Sequence, residues 1–379
     1  MPTPTAAELR PEPGTPVDEI ETPAIVLDLD VFERNVDRYV RIADELDVSL
    51  RSHVKTHKVP ALAHYQDRAS GGGIVCQTIS EVEVMAAAGL EDIYLSYQVV
   101  GERKLERLVR LAESINQFAT TVDAAANADP LGAAAATYDT TVDVILEVDV
   151  GLGRTGVPLG EPAVELARRI ADHDHLAFAG VMAYEAHVKG QASTEDEYEQ
   201  LCYEAIEQAA NTVAQIEDVG IPVPELKVGG TATSPYSGRH PRATEINPGQ
   251  YAFNDCGELA ARPWAVSVED IALTVHSTVI SDQVTDQIVA DAGSKSVSMD
   301  TDRQPLVLDH PDLTYAGYSE EHAHIDTSAA EGPVPSVGDR LAFVPPHICP
   351  TINMHDVMVG ARDGVVTNVW AVQARGKVK

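Results

Sequence analysis

Apolar positions along this chain follow two alternating rhythms. Short runs rich in β-branched residues read as strands: "AIVLDLD" (24–30), "VSLRSHV" (48–54), "GIVCQT" (73–78), "DIYLSYQ" (92–98), "TTVD" (120–123), "VDVILEVDV" (142–150), "LAFAGVMAYE" (176–185) and "ELKVGG" (225–230). Between them, "VFERNVDRYVRIADEL", "TISEVEVMAAAG", "GERKLERLVRLAESI" and "EPAVELARRIADH" repeat apolar residues at helical spacing, the second closing on a glycine where helices commonly stop. Such alternation over about 240 residues predicts a (β/α)8 TIM barrel spanning 23–264, with its active site at the C-terminal ends of the strands. An open doubly wound sheet is the alternative. It would usually carry a glycine-rich fingerprint after its first strand, and "VLDLDVFERN" has none.

After Trp264 the pattern changes to strands with few helices: "DIALTVHSTVIS", "QIVADAGSKSVS", "RLAFVPPHICP" and "GVVTNVWAVQARG". This predicts a second, mostly β C-terminal domain over 265–379. Residues 1–22 read as an N-terminal arm, loosely ordered to about Glu21. The acidic amphipathic stretch 195–220 reads as a solvated outer helix, and 124–136 as an alanine-rich tract.

Composition narrows the function classes. The 379 residues hold 59 acidic against 27 basic side chains, a net charge of −32 that repels nucleic acid and anionic membrane surfaces. Hydrophobic residues at 44% argue against disorder. An acidic surface with arginine favoured over lysine suits a halophile's cytoplasm. No run of eighteen apolar residues exists, and the N-terminus lacks an apolar signal core. With four widely spaced cysteines, the expectation is a cytoplasmic protein with reduced thiols.

In so lysine-poor a chain, "SLRSHVKTHKVP" (49–60) stands out. Lys55 falls at the end of the second predicted strand, where a barrel places reactive groups; an amine there is either a solvated loop lysine or a partly desolvated nucleophile able to form a Schiff base. After the eighth predicted strand, Gly229 and Gly230 let backbone amides converge on an anion, with Thr231 and Thr233 as hydroxyl donors. "NPGQY" offers further amides from Gly249, Gln250 and Tyr251. In "PPHICPTINMHD", His347 and Cys349 are separated by one residue, which on an extended segment puts both on one face, and imidazole with thiolate suits a zinc-like ion. Two ligands do not define a metal site.

"SLRSHVKTHK" resembles the cofactor-lysine motif of the D-threonine aldolase and D-serine dehydratase family, relatives of alanine racemase that bind pyridoxal 5'-phosphate on a barrel. The likeness runs from about Thr22 to Ala374. It implies that Lys55 is the Schiff-base lysine. In "VDVGLGRTGV" it implies that Arg154 approaches the cofactor ring from the sixth strand, and in "GVMAYEAHV" that Tyr184 and His187 lie near the cofactor after the seventh. "VGGTATS" and "EINPGQYAF" match the phosphate-holding loops. His347 and Cys349 correspond to the pair that holds a divalent metal (zinc, manganese or magnesium) beside the cofactor.

The implied activity is that of a lyase acting on small β-hydroxy D-amino acids. D-threonine aldolase-type cleavage to glycine and an aldehyde ranks first, with His57 as the hydroxyl-proton base and His187 as the alternative. D-serine dehydratase chemistry, giving pyruvate and ammonia, is second; a racemase or a non-catalytic cofactor-binding protein follows. The family habit implies a homodimer. Two departures stand out: Ser52 replaces a frequent proline, and Cys349 stands where some aldolases carry aspartate, which would favour harder ions.

Overall fold

The computed structural model describes residues 10–379. They divide into two compact units, one comprising 37–55, 60–249 and 377–379, the other the residues up to 36 with 56–59 and 250–376.

The first unit is the barrel. Its sheet has nine parallel segments, starting at Ser49–Leu50 and running through Glu245–Ile246, Glu225–Val228, Leu176–Ala183, Val142–Val148, Gln117–Val122, Asp92–Gln98 and Ile74–Cys76 to Ser52–His53. The two end segments are separated only by Arg51, so they form one strand and the sheet closes into eight. Arg51 N donates to Ile246 O at 3.0 Å and His53 N to Pro248 O at 2.9 Å, carrying the seam past the last regular pair. Val75, Tyr94, Ile145 and Met182 fill the interior, with Tyr184 packed against them. Such strands, covered on both sides, are apolar runs rather than alternations, which is why the sequence displays them clearly.

The barrel's N-terminal end holds a charged layer. Lys227, 2% exposed, bonds Glu225 and Glu245 at 2.8 Å each, and Arg51 reaches Glu245 at 2.9 Å and Asp92 at 2.5 Å. Burial works against the charge of Glu245, but Lys227 and Arg51, with a hydrogen bond from Asn247, hold its carboxyl below the usual range. A depressed folded pKa stabilises above the ordinary value near 4.5 and loses that contribution as pH falls through the depressed one. Glu245→Gln leaves two buried cations short of a partner, and we expect a loss of about 3 kcal/mol in denaturant unfolding at pH 7. The wild-type advantage should shrink below pH 4.5, and an unchanged midpoint at pH 7 would refute the assignment.

The second unit is mostly β, as expected, but begins earlier. Ala24–Asp28, expected as the first barrel strand, pairs antiparallel with Leu273–Val284 and parallel with Val357–Arg362. An apolar run of four, Ala24 to Leu27, looks the same in either kind of sheet, so composition does not separate the two. The true eighth barrel strand, Glu245–Ile246, is only two residues long and was read as a loop. The Lys55 strand is therefore first, not second, and the domain boundary at 23 is replaced by the discontinuous division above.

Residues 1–9 of the expected arm lie outside the described residues. The remainder is not loose: Gly14 N donates to Val366 O at 2.8 Å, Val17 N to Gly364 O at 2.9 Å, and Ile20 packs with Val26, Val359 and Val366. Asp291 accepts from Thr22 Oγ1 at 2.6 Å and Ser277 Oγ at 2.8 Å, a structural role. The alanine-rich tract forms the helix Ala125–Thr137. None of the four cysteines is in a disulfide. Among the described residues no helix is long and apolar enough to cross a membrane.

Candidate active site

Lys55 lies in a single 3-10 turn, Val54–Thr56, immediately past the first barrel strand. Its Nζ donates to Gln77 Oε1 at 3.3 Å, and His53 Nε2 lies 3.1 Å from the same oxygen. Gln77 sits one residue beyond the neighbouring strand Ile74–Cys76 and is itself fixed: its Nε2 donates to Ser96 O at 2.8 Å and its N to Glu81 Oε2 at 2.7 Å. An amide oxygen only accepts, so His53 carries its proton on Nε2. Burial, then the charge of Lys55, keeps the His53 imidazolium pKa well below its ordinary value. A neutral donor and a fixed amide thus flank the lysine amine. The sequence reading passed over His53 and Gln77, although Gln77 could have been found from its place at a strand's C-terminal end.

Arg154 lies 4.9 Å over the Tyr184 ring, a cation–π stack, and 3.5 Å from the buried carboxylate of Glu147. Glu147 also accepts from Thr155 Oγ1 at 2.8 Å. These groups follow the fifth and sixth barrel strands, one fewer than the sequence count because Ala24–Asp28 left the barrel. Asp149 accepts from the amides of Gly151 and Gly153 at 3.0 Å each, shaping the loop before Arg154. A Cβ on Gly151, at φ +124°, would come 2.9 Å from His187 Nε2, so the imidazole lies against bare backbone. His187 Nδ1 is buried with no hydrogen-bond partner among the described residues.

After the seventh strand, Gly229 adopts φ +81°, and a Cβ there would meet Ser234 Oγ at 2.6 Å. A Cβ on Gly230 would meet Tyr184 Cε2 at 2.8 Å. Gly230 N donates to Thr233 Oγ1 at 2.9 Å, and Gly249 N, past the eighth strand, donates to Thr231 Oγ1 at 3.2 Å. Ser234 Oγ is buried with no partner among the described residues. A glycine-lined cradle with an unsatisfied buried hydroxyl, after strands seven and eight of a barrel, fits a phosphate ester. Next along the chain, Gln250 and Tyr251 form the turn Gln250–Ala252, where Gln250 Nε2 donates to Asp255 Oδ2 at 2.7 Å and Tyr251 is buried.

The β unit brings His347 and Cys349 together, though not on an extended segment. The strand Arg340–Val344 stops short, and His347 is the N-cap residue of the helix Ile348–Met354, whose first turn holds Cys349. His347 Nδ1 bonds Asp300 Oδ2 at 2.7 Å. Burial pulls the His347 pKa down, but the hydrogen bond and charge of Cys349, and then of Asp300, lift it to about 9. Cys349 Sγ lies 3.4 Å from Thr56 Oγ1. Imidazole, thiol and a carboxylate behind the imidazole match the donor chemistry of a zinc-like site whose remaining positions go to water or substrate. Among the described residues no group of three or more His, Cys, Asp and Glu residues that could hold a metal occurs.

His57, also in this unit, is fully buried; its Nδ1 accepts from Val59 N at 3.0 Å, and its ring lies 5.7 Å from Phe253. That hydrogen bond puts the proton of the neutral ring on Nε2 and occupies Nδ1, which speaks against the base role expected of His57.

Residues 27–255 match the family model "Alanine racemase, N-terminal domain", and 272–361 match "Putative serine dehydratase domain". The chain is 36% identical to a D-threonine aldolase from Arthrobacter sp over 367 residues, 96% of this chain and 95% of that protein. A crystal structure of D-threonine aldolase from Filomicrobium marinum superposes with TM-score 0.92 at 34% identity, covering 97% of this chain and all of the other. D-threo-3-hydroxyaspartate dehydratase from Delftia sp. HT23 superposes with TM-score 0.84 at 27% identity, covering 94% and 98%. Two mutants of that dehydratase, with alanine replacing a histidine and, two positions further on, a cysteine, have also been solved, the second in a metal-free form.

Proposed function

Because this chain belongs to the D-threonine aldolase and D-serine dehydratase family of alanine racemase-like enzymes, a family of pyridoxal phosphate-dependent lyases, we propose that it cleaves D-threonine-type β-hydroxy D-amino acids to glycine and an aldehyde. The observation that carries this reading is the pairing, in one chain alike to an aldolase over nearly its whole length, of Lys55 at a barrel strand end with a His347–Cys349 donor pair backed by Asp300.

Lys55 would hold the cofactor's aldehyde carbon. The Ser234 and Thr231 hydroxyls, in the cradle that Gly229 and Gly230 shape, would hold its phosphate, Arg154 and Tyr184 its ring, and His347 with Cys349 a divalent metal, zinc by donor type. When bound, the cofactor supplies an electron sink for charge at Cα, and the metal supplies Lewis acidity toward the β-hydroxyl. Gln77 and neutral His53 keep the Lys55 amine directed at one place without adding charge. Tyr184, pinned between Arg154 and Gly230, fixes the plane of whatever ring lies beside it. His187 Nδ1, buried and unpartnered, is the nitrogen placed to accept the substrate's hydroxyl proton.

His187→Gln is accordingly expected to lower kcat by about 10²- to 10⁴-fold with KM within a few-fold, since a general base acts in the transition state. Steady-state kinetics with D-threonine checks this. A change confined to KM would remove the role.

A second reading, D-serine or hydroxyaspartate dehydration, is favoured by Cys349, since a dehydratase relative solved with its cysteine exchanged for alanine is metal-free. Assays with D-threonine and D-serine, with and without chelator, decide between them. Glycine and aldehyde abolished by chelator are expected; pyruvate and ammonia as the main products would make the chain a dehydratase. The proposal includes a homodimer, the family habit, working in a salt-rich cytoplasm, which the net charge of −32 supports. Sedimentation in molar salt tests both.

A further inference from the structure

Between Tyr184 and His187 lies Glu185, a carboxyl with no exposed surface that the chemistry above does not use. Its Oε2 accepts from Gly229 N at 3.3 Å and its Oε1 from Ser237 Oγ, and Thr233 adds a side-chain hydrogen bond. These three donors lie on the segment that cradles the phosphate in the proposed reading. Thr233 in turn accepts from Gly230 N, so both glycine amides are tied to Glu185, one directly and one through a hydroxyl. The neighbouring residues on either side of Glu185 face the rest of the site: Tyr184 lies under Arg154 and against Gly230, and His187 against Gly151.

We infer that Glu185 is a positioning residue that locks the loop after the sixth strand to the glycine loop after the seventh, and so sets the affinity for the cofactor's phosphate. The inference rests on the cofactor reading above. Gly229 needs such a tether because it lies past the end of the strand Glu225–Val228, and an unpartnered amide in this buried place would be costly. Burial pushes the Glu185 carboxyl upward against the hydrogen bonds from Ser237 and Thr233. A buried carboxyl held by neutral donors alone is a costly choice wherever apolar packing would serve, which argues that its acceptor geometry is what the fold requires.

The test titrates apoenzyme with pyridoxal phosphate and, separately, with pyridoxal, which lacks the phosphate. Glu185→Ala is expected to weaken pyridoxal phosphate binding about 10- to 100-fold while leaving pyridoxal binding within about threefold, and Glu185→Gln, which keeps an acceptor oxygen, to recover most of the loss. Should Glu185→Ala fail to fold, Ser237→Ala removes a single donor and is expected to show the same phosphate-selective loss at about three- to tenfold. Parallel losses for both ligands, no loss for either, or a glutamine variant as weak as alanine overturns the inference. Wild-type chain that binds no pyridoxal phosphate overturns the cofactor reading itself, a result distinct from a wild-type that binds and a Glu185→Ala that binds equally well.

Discussion

Lys55→Ala is expected to remove the visible pyridoxal band from the purified protein and to lower lyase turnover by on the order of 10⁴-fold or more, as deletion of a covalent catalytic residue does elsewhere. The size follows from the role, since Lys55 would be the amine that captures the cofactor's aldehyde. Lys227, a buried barrel lysine, is bonded to Glu225 and Glu245 in the charged layer at the opposite end of the strands. Lys58 is the control. Its backbone turns at φ +58° and its carbonyl accepts from Ala374 N at 3.1 Å, so Lys58→Ala tests the local fold without touching the proposed amine and should keep the band. Loss of the band in both variants would point to collapse of the turn rather than to chemistry at Lys55.

The second large effect concerns the β unit. If His347 and Cys349 hold the metal, His347→Ala and Cys349→Ala should each release it and lower activity on the order of 10³-fold, because Lewis acidity toward a developing alkoxide is worth several kcal/mol. Asp300→Asn, which leaves both donors but removes the carboxylate that orients His347 through Nδ1, should weaken metal binding about 10- to 100-fold. Cys349→Asp replaces a soft donor with a hard one and should shift preference from zinc toward manganese or magnesium while retaining metal. Metal analysis of dialysed protein with activity under each ion reads all four variants. Full metal content in His347→Ala would dismiss the site.

Much of this was legible in the chain. Barrel strands covered on both sides appear as apolar runs, and Lys55, Gly229 and Gly230 each fall where a run ends, so the catalytic end of the barrel could be read directly. What failed had physical causes. Ala24–Asp28 is as apolar as a barrel strand yet belongs to an antiparallel pair, and apolar content says nothing of pairing direction. Glu245–Ile246 is too short to show a period. Residues 10–22, rich in proline and acid, read as loose because their order comes from backbone bonds to residues some 350 positions away, such as Gly14 to Val366. His347 and Cys349 do come together, but at a helix start rather than on the extended segment expected. His57 looked equivalent to His187 by residue type, and only the Val59 amide on its Nδ1 distinguishes them. His53 draws its significance from an oxygen it shares with Lys55, that of Gln77, 24 residues away along the chain from His53 and 22 from Lys55, which no local pattern around His53 records.

Reduction of the holoenzyme with borohydride, followed by digestion and mass mapping, fixes the cofactor to whichever amine holds it. The account expects the pyridoxyl label on the peptide containing Lys55, at Lys55 and not Lys58. A label found on Lys58, Lys227 or Lys295, or no labelled peptide from protein that carries the visible band, would contradict it.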